Sequence, residues 1–211
     1  MKRALVVWGG YEPHEPEKGA HVVRGILEGE GFEVVVSGDY SSLTTAGEYD
    51  LVMPQITGGD LDRDSSIAFA DAIEAGTGIA AFHYGFATTF HGNWRMRLIG
   101  GCSFAGHPGD RITYRVDPVK SDDPIMAGIE SFEHTSEQYF LHVDPTVEVL
   151  ATTTFTAANA WWLDGAVVPQ VYKKHYGKGR VFYTAFGDKA AELDSPPVRT
   201  ILTRGMLWAA R

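Results

Sequence analysis

The sequence predicts a doubly wound α/β fold, in which a mostly parallel sheet carries helices on both faces and an added β hairpin. Three observations support this prediction. Strand-sized apolar runs alternate with amphipathic segments through the first half of the chain. Shorter segments of the second half alternate polar and apolar residues, as half-exposed strands do. The chain closes with a predicted helix that begins at Ser195-Pro196-Pro197, because Ser is a good cap and Pro fits the first helical position.

Turn and capping signals bound the predicted elements. Gly9-Gly10 ends the first apolar run, Gly31 ends the first helix and Gly76 follows the second. The first half is predicted to contain strands over 3–8, 32–36, 50–54 and 78–83, and helices over 17–30, 61–75 and 87–98. The second half is predicted to contain strands over 111–116 and 148–154, a hairpin of strands over 167–174 and 179–184, and a helix over 195–210.

Composition narrows the classes of function. The 211 residues favour a single domain over 1–211, and the net charge of −9 argues against nucleic acid and anionic membranes as partners. No apolar run approaches the roughly 20 residues of a membrane span, and no signal peptide is expected, so we expect a cytoplasmic protein. The aromatic C-terminal helix is compatible with a homo-oligomer interface, although its pattern favours burial in the monomer core.

The residues that follow the strands are the candidates for a site, because open parallel sheets bind ligands beyond the carboxyl ends of their strands. Of the eight histidines, His14, His83 and His107 lie in three separate strand-end segments. Imidazole is the natural acid/base near neutral pH and the commonest metal ligand. We expect His83 and His107 to be catalytic and His14 to bind substrate.

A metal site is a second interpretation of the same positions. The sequence contains neither His-Glu-x-x-His nor Cys-x-x-Cys, so no spacing is diagnostic. His14, His83, His107 and Asp188 could nevertheless assemble a site for a divalent ion such as zinc. No nucleotide cofactor is expected.

The segment Phe82-His83-Tyr84-Gly85 can be compared with a nucleophile elbow, the sharp turn that presents a reactive side chain between a strand and a helix. His83 stands where a nucleophilic enzyme would carry Cys or Ser. Cys102, the single cysteine, lies elsewhere and is predicted to be a small buried hydrophobe.

The segment 136–145 combines aromatic rings with carboxylates and histidine. Such a set suits sugar binding, because rings stack on C–H faces and acids accept hydroxyl hydrogen bonds; Glu137, Tyr139 and His142 are the candidate substrate-binding residues. A structural turn before the next strand is an equally good interpretation.

Seven segments carry a resemblance that runs essentially from end to end: VWGGYEPHE (7–15), GIAAFHYG (78–85), GGCSFAGHPG (100–109), DDPIMAGI (122–129), SEQYFLHVDP (136–145), GKGRVFY (177–183) and RGMLWA (204–209). In this order they resemble the ThuA-like (trehalose utilisation) family of the class I glutamine amidotransferase-like superfamily. The resemblance implies a flavodoxin-like fold and a link to disaccharide metabolism. It implies no glutaminase activity, because amidotransferases carry Cys at the position of His83. The chain departs from the family at Gly187-Asp188, where relatives usually read Gly-His.

The expected function is therefore chemistry on a small carbohydrate, an oxidised disaccharide or related ketosugar. The expected reaction is proton transfer next to a carbonyl, either isomerisation or elimination and hydration, which requires an acid/base and an electrophile. Two alternatives stay open: a non-catalytic sugar-binding or regulatory module, and a metal-dependent hydrolase.

Overall fold

The computed structural model describes all residues from Met1 to Arg211. Its strands are β1 Arg3–Gly9, β2 Glu33–Ser37, β3 Leu51–Ile56, β4 Gly78–Phe82, β5 Cys102–Gly106, β6 Ile112–Pro118, β7 Phe132–Ser136, β8 Phe140–Val143, β9 Glu148–Thr154, β10 Val167–Tyr176 and β11 Gly179–Thr184. Its α-helices are α1 Pro16–Gly29, α2 Arg63–Ala75, α3 Tyr84–Ala87, α4 Trp94–Gly100, α5 Ala157–Ala160 and α6 Pro196–Ala209. Short 3₁₀ helices cover Glu12–His14, Tyr40–Glu48, Trp161–Leu163 and Ala190–Asp194.

The main sheet has a parallel half and an antiparallel half. Its nine strands lie in the order β2-β1-β3-β4-β11-β10-β9-β6-β7, and β5 and β8 form a separate pair. The first five strands run parallel, and from β11 to β7 each strand reverses the direction of its neighbour. The carboxyl ends of β1, β3, β4, β11 and β7 therefore point to the same edge. The predicted mixed α/β fold is confirmed, with an antiparallel half wider than the predicted hairpin.

Apolar layers cover both faces of the sheet. Ala4 and Val6 of β1 join a buried layer with α1 and α6, whereas Leu5 and Val7 join the layer that contains α2 and α4. Successive strand side chains point to opposite faces, so a central strand covered on both sides requires a continuous apolar run. None of the helices has the length and hydropathy needed to cross a membrane.

The predicted helix over 87–98 is replaced by α3 and α4 with a turn between them. Phe90 takes a φ of 47°, which a continuous helix does not allow. Asn93 then starts α4, because its side chain accepts a hydrogen bond from the backbone N–H of Arg95. His91 is accordingly exposed in the connection.

A pair of glycines tests how tightly α6 packs on the sheet. A Cβ at Gly205 would lie 2.2 Å from the ring of Phe182, whereas a Cβ at Gly25 of α1 would meet nothing within 4 Å. We expect Gly205→Ala to lower the free energy of unfolding by about 1–3 kcal/mol through overpacking. Gly25→Ala, the matched control, should raise it by about 0.5–1 kcal/mol. Urea denaturation measures both, and equal effects of the two substitutions would contradict this packing.

Burial makes Cys102 unreactive in the native state. The residue is 3% exposed, and burial raises the pKa of its thiol to about 12. We expect no reaction with 5,5′-dithiobis(2-nitrobenzoate) at pH 8 until denaturant is added, because the thiolate is the reacting species. Rapid native labelling would show an accessible thiol and reopen a nucleophilic role for Cys102.

Candidate active site

Four side chains from distant parts of the chain converge beyond the carboxyl edge of the sheet. His14 lies in the 3₁₀ helix after β1, His83 directly follows β4, Glu137 directly follows β7 and Asp188 comes four residues after β11. One ligand atom from each of the four lies within 4.8 Å of the others. We call His14, His83, Glu137 and Asp188 the inner cluster.

The backbone of His83 is strained and firmly held. Its φ of 45° and ψ of −109° are rare for a residue with a Cβ, and such positions cost on the order of 1–3 kcal/mol and concentrate at functional sites. The N–H of His83 donates to the carbonyl of Thr184 at 2.7 Å, and the Tyr183 hydroxyl donates to the carbonyl of His83 at 2.6 Å. β11 therefore fixes the sharp turn that the comparison with a nucleophile elbow predicts.

The orientation of the His83 ring follows from one hydrogen bond. Nδ1 lies 2.9 Å from the carbonyl oxygen of Ala185, which can only accept, so Nδ1 carries the hydrogen. In the neutral ring Nε2 then carries a lone pair, and it faces Glu137 Oε2 at 3.2 Å and Asp188 Oδ1 at 3.8 Å. Metal-binding histidines commonly donate their second ring N–H to a carbonyl in this way.

His14 is held on the opposite side of Asp188. Its Nδ1 is 2.7 Å from the hydroxyl of Thr57, its ring stacks on Tyr84 at 4.8 Å, and its Nε2 is 3.8 Å from Asp188 Oδ1. Burial, followed by repulsion from the charge of His83, lowers the pKa of His14 to about 4. The ring is therefore neutral at pH 7, the form that binds a metal.

The carboxylates of the inner cluster differ in their environments. Burial raises the pKa of Asp188, whose Oδ1 has no hydrogen-bond partner, while Lys189 contacts Oδ2 at 3.0 Å. For Glu137, burial opposes ionisation, but its contact with His83 and the neighbouring histidines outweigh burial and lower its pKa. An unpartnered buried oxygen surrounded by further acceptor atoms fits a divalent cation.

Hydrogen bonds of two glutamine side chains hold the segment that carries Glu137, which begins at the far edge of the sheet. The segment after β7 passes over the intervening strands. Along it, Gln138 Nε2 donates to the hydroxyl of Thr153 on β9 at 2.9 Å. Gln170 of β10 donates to the carbonyl of Tyr139 at 3.3 Å. The Tyr139 ring, carried by the same segment, stacks on His83 at 4.0 Å.

An open cavity of about 760 Å³ lies over the inner cluster, within the size range of small-ligand sites. Tyr11 and Phe104 contribute aromatic surface, and Arg111 and Lys189 contribute positive charge. His107 also lines the cavity: its Nε2 is 3.6 Å from Glu137 Oε1 and its Nδ1 has no hydrogen-bond partner. His107 is therefore placed to reach a ligand in the cavity.

The structure brings together three of the four predicted metal ligands, His14, His83 and Asp188. Glu137 takes the fourth place, and His107 lies on its outer side, in a second group with Glu137 and Asp110. Tyr139 lines the cavity, as the sugar-binding interpretation of segment 136–145 requires.

His142 does not reach the cavity. It is exposed on β8, opposite Ser103 of β5. Its assignment to substrate binding therefore stays a prediction that the geometry does not support.

Sequence reasoning missed three contributors. Thr57 follows β3 and orients His14, so the strand-end rule could have found it. Lys189 and Glu192 are ordinary charged residues in sequence, and only the fold shows that they surround Asp188.

Comparisons with known proteins agree with this architecture. The structure matches a ThuA-like protein of Parabacteroides merdae at 18% identity with a TM-score of 0.82, covering 99% of this chain and 89% of that one. A ThuA-like protein of Bacteroides uniformis matches at 19% identity and TM-score 0.76, covering 98% and 89%. A protein of Salmonella typhimurium described as cytoplasmic matches at 11% identity and TM-score 0.69, covering 99% and 100%. At these identities the likeness concerns the fold.

Among curated proteins, none matches this sequence. A family model does: the one for ThuA, described as trehalose utilisation, matches residues 3–209, nearly the whole chain. The resemblance seen in the sequence motifs is thereby confirmed, and the chain belongs to the ThuA family.

Proposed function

We propose that this protein is an enzyme of sugar utilisation that transfers a proton next to the carbonyl of a ketosugar, and that its inner cluster holds a divalent cation such as zinc. One observation carries the proposal. Buried Asp188 Oδ1 has no hydrogen-bond partner and faces His14 Nε2 and His83 Nε2, each at 3.8 Å, beneath an open cavity. Family membership supports the role in sugar utilisation.

The inner cluster offers two imidazole nitrogens and two carboxylates, a donor set that zinc and other first-row divalent metals accept. When bound there, a cation supplies positive charge beside a substrate oxygen that becomes negative in the reaction. The protein's part is to hold the donors: Ala185 orients His83, and Thr57 orients His14.

His107 is the proposed acid/base, because it borders the cavity and its side chain is 26% exposed. It takes the proton from the carbon next to the substrate carbonyl, and the C–H electron pair forms the carbon–carbon double bond of an enolate. In an elimination, the β C–O bond then breaks with its electron pair, and the departing oxygen takes the proton from His107. In an isomerisation, the hydroxyl proton moves to the former carbonyl oxygen and His107 returns its proton to the former carbonyl carbon.

The cavity lining suits a sugar. Tyr11 and Phe104 line it with aromatic rings, on which the C–H faces of a pyranose can pack, and Thr88 and Thr135 add hydroxyl oxygens that can accept hydrogen bonds. A carbohydrate partner and a cytoplasmic location belong to the proposal. His142 has no part in it, because its side chain lies outside the cavity.

Metal content tests the inner cluster. We expect untagged protein to carry about one divalent ion per chain by plasma emission, and His83→Ala and Asp188→Ala each to weaken zinc binding by at least about tenfold. His142→Ala, a histidine outside the cavity, is the matched control and should bind as the wild type does. A wild-type protein that shows no ion and no heat of zinc binding in calorimetry would rule out the cation site.

Proton transfer can be measured without knowing the final product. In D₂O, wild-type protein should catalyse deuterium incorporation next to the carbonyl of a disaccharide made by oxidising one ring hydroxyl of trehalose, as followed by NMR. His107→Ala should slow this by about 10²–10⁴-fold, the usual contribution of an acid/base group. His142→Ala should leave the rate unchanged.

The outcomes of the NMR experiment separate the alternatives. Sugar binding by calorimetry without deuterium incorporation or product over hours would favour a non-catalytic binding module. Release of monosaccharides without incorporation would favour a hydrolase. A slow His142→Ala variant would restore the sequence-based assignment of that residue.

A further inference from the structure

We propose that Glu192 is a positioning residue that sets the spacing between Glu137 and Asp188, the two carboxylates of the inner cluster. Glu192 acts through the backbone N–H of Asp188 and through Ser136, the residue before Glu137. The inference rests on the proposed function, because spacing matters most if the cluster holds a cation. The geometric evidence for the role of Glu192 consists of hydrogen bonds and does not depend on a bound cation.

One oxygen atom joins the two segments. Glu192 Oε2 accepts the hydroxyl of Ser136 at 2.8 Å, the N–H of Gly187 at 3.2 Å and the N–H of Asp188 at 3.1 Å. Ser136 is the last residue of β7 and immediately precedes Glu137. The same atom therefore fixes the chain on which Glu137 is carried and the backbone of Asp188 itself.

The backbone at Gly187 is shaped for this contact. Its φ of +104° turns two successive N–H groups toward one acceptor, an arrangement that binds anions in proteins. A Cβ at Gly187 would lie 2.7 Å from Leu193 and 2.9 Å from Phe82, so the position also admits no side chain. The turn is thus built around the carboxylate of Glu192.

The carboxylate of Glu192 is itself held in place. Nε2 of His134, a buried residue of β7, lies 3.5 Å from the same Oε2. Glu192 belongs to the 3₁₀ helix Ala190–Asp194, whose first N–H donates to Glu15 Oε2 at 3.3 Å. Because the carboxylate of Glu192 and the helix that carries it are both held in place, we expect a substitution of Glu192 to shift Asp188 relative to Glu137.

Zinc affinity and cobalt absorption test this role. Glu192→Ala removes the shared acceptor, and we expect it to weaken zinc binding by about 10–100-fold, as loss of an outer partner of a metal ligand does. The visible spectrum of bound Co²⁺, which reports ligand geometry, should change with it. Glu192→Gln keeps an acceptor oxygen and should stay within about threefold of wild type. Ser136→Ala removes the hydrogen bond from Glu192 to the segment of Glu137 and should weaken zinc binding by about two- to tenfold.

A matched variant separates positioning from stability. Asp144 has a similar exposure to Glu192, 20% against 17% for the side chain, and pairs with buried Lys174 outside the cavity. Asp144→Ala should lower the Tm and leave zinc affinity unchanged. Folded Glu192→Ala protein that binds zinc as tightly as wild type would overturn the inference, and so would a Glu192→Gln variant as weak as Glu192→Ala.

Amide hydrogen exchange tests the hydrogen bonds without any metal. We expect the amides of Gly187 and Asp188 to exchange faster in Glu192→Ala than in wild type, and to remain protected in Glu192→Gln. Unchanged protection in Glu192→Ala would overturn the inference. Absence of zinc binding in the wild-type protein would instead count against the proposed function, so the two failures are distinguishable.

Discussion

The attachment of the turn after β4 to the end of β11 is the constraint on which the site depends. His83 makes hydrogen bonds to three consecutive residues at the end of β11. It accepts one from the hydroxyl of Tyr183 and donates one each to the carbonyls of Thr184 and Ala185. These bonds hold a backbone conformation that residues with a Cβ rarely adopt, and they decide which ring nitrogen faces Glu137 and Asp188. Without them the imidazole would have neither a fixed tautomer nor a fixed direction. The other members of the inner cluster are arranged around this one oriented group.

The parallel and antiparallel halves of the sheet make different contributions to the site. The parallel half supplies His14, His83 and Asp188 by the ordinary rule that strand ends open onto one edge. The antiparallel half supplies Glu137, which reaches the cluster because Gln138 and Gln170 hold its segment across the strands between. The extension of the sheet beyond β11 is thus part of the site as well as of the fold. His107 is likewise delivered by β5, outside the main sheet.

The sequence predicted the parallel half well because its signals are local. Apolar runs such as 3–8, closed by glycines, can be recognised as strands without knowledge of their partners. The segments that follow these strands contain His14, His83 and Asp188. β5, β7 and β8 are four or five residues long and are stabilised by pairing with distant segments, so no local pattern marks them. For the same reason Glu137 was assigned to substrate binding, while its contact with His83 depends on tertiary structure. Lys189 directly follows Asp188 and Glu192 lies four residues after it, and neither carries a local signal.

The members of the inner cluster lie at 14, 83, 137 and 188, so the cluster spans most of the chain. No partly folded form that lacks either half of the sheet can contain it, and its contacts are among the most non-local in the molecule. An ion that recognises all four residues would bind the complete fold and little else, and mass action would then stabilise that fold with the logarithm of the ion concentration. Binding of the ion would therefore report that both halves of the sheet have formed.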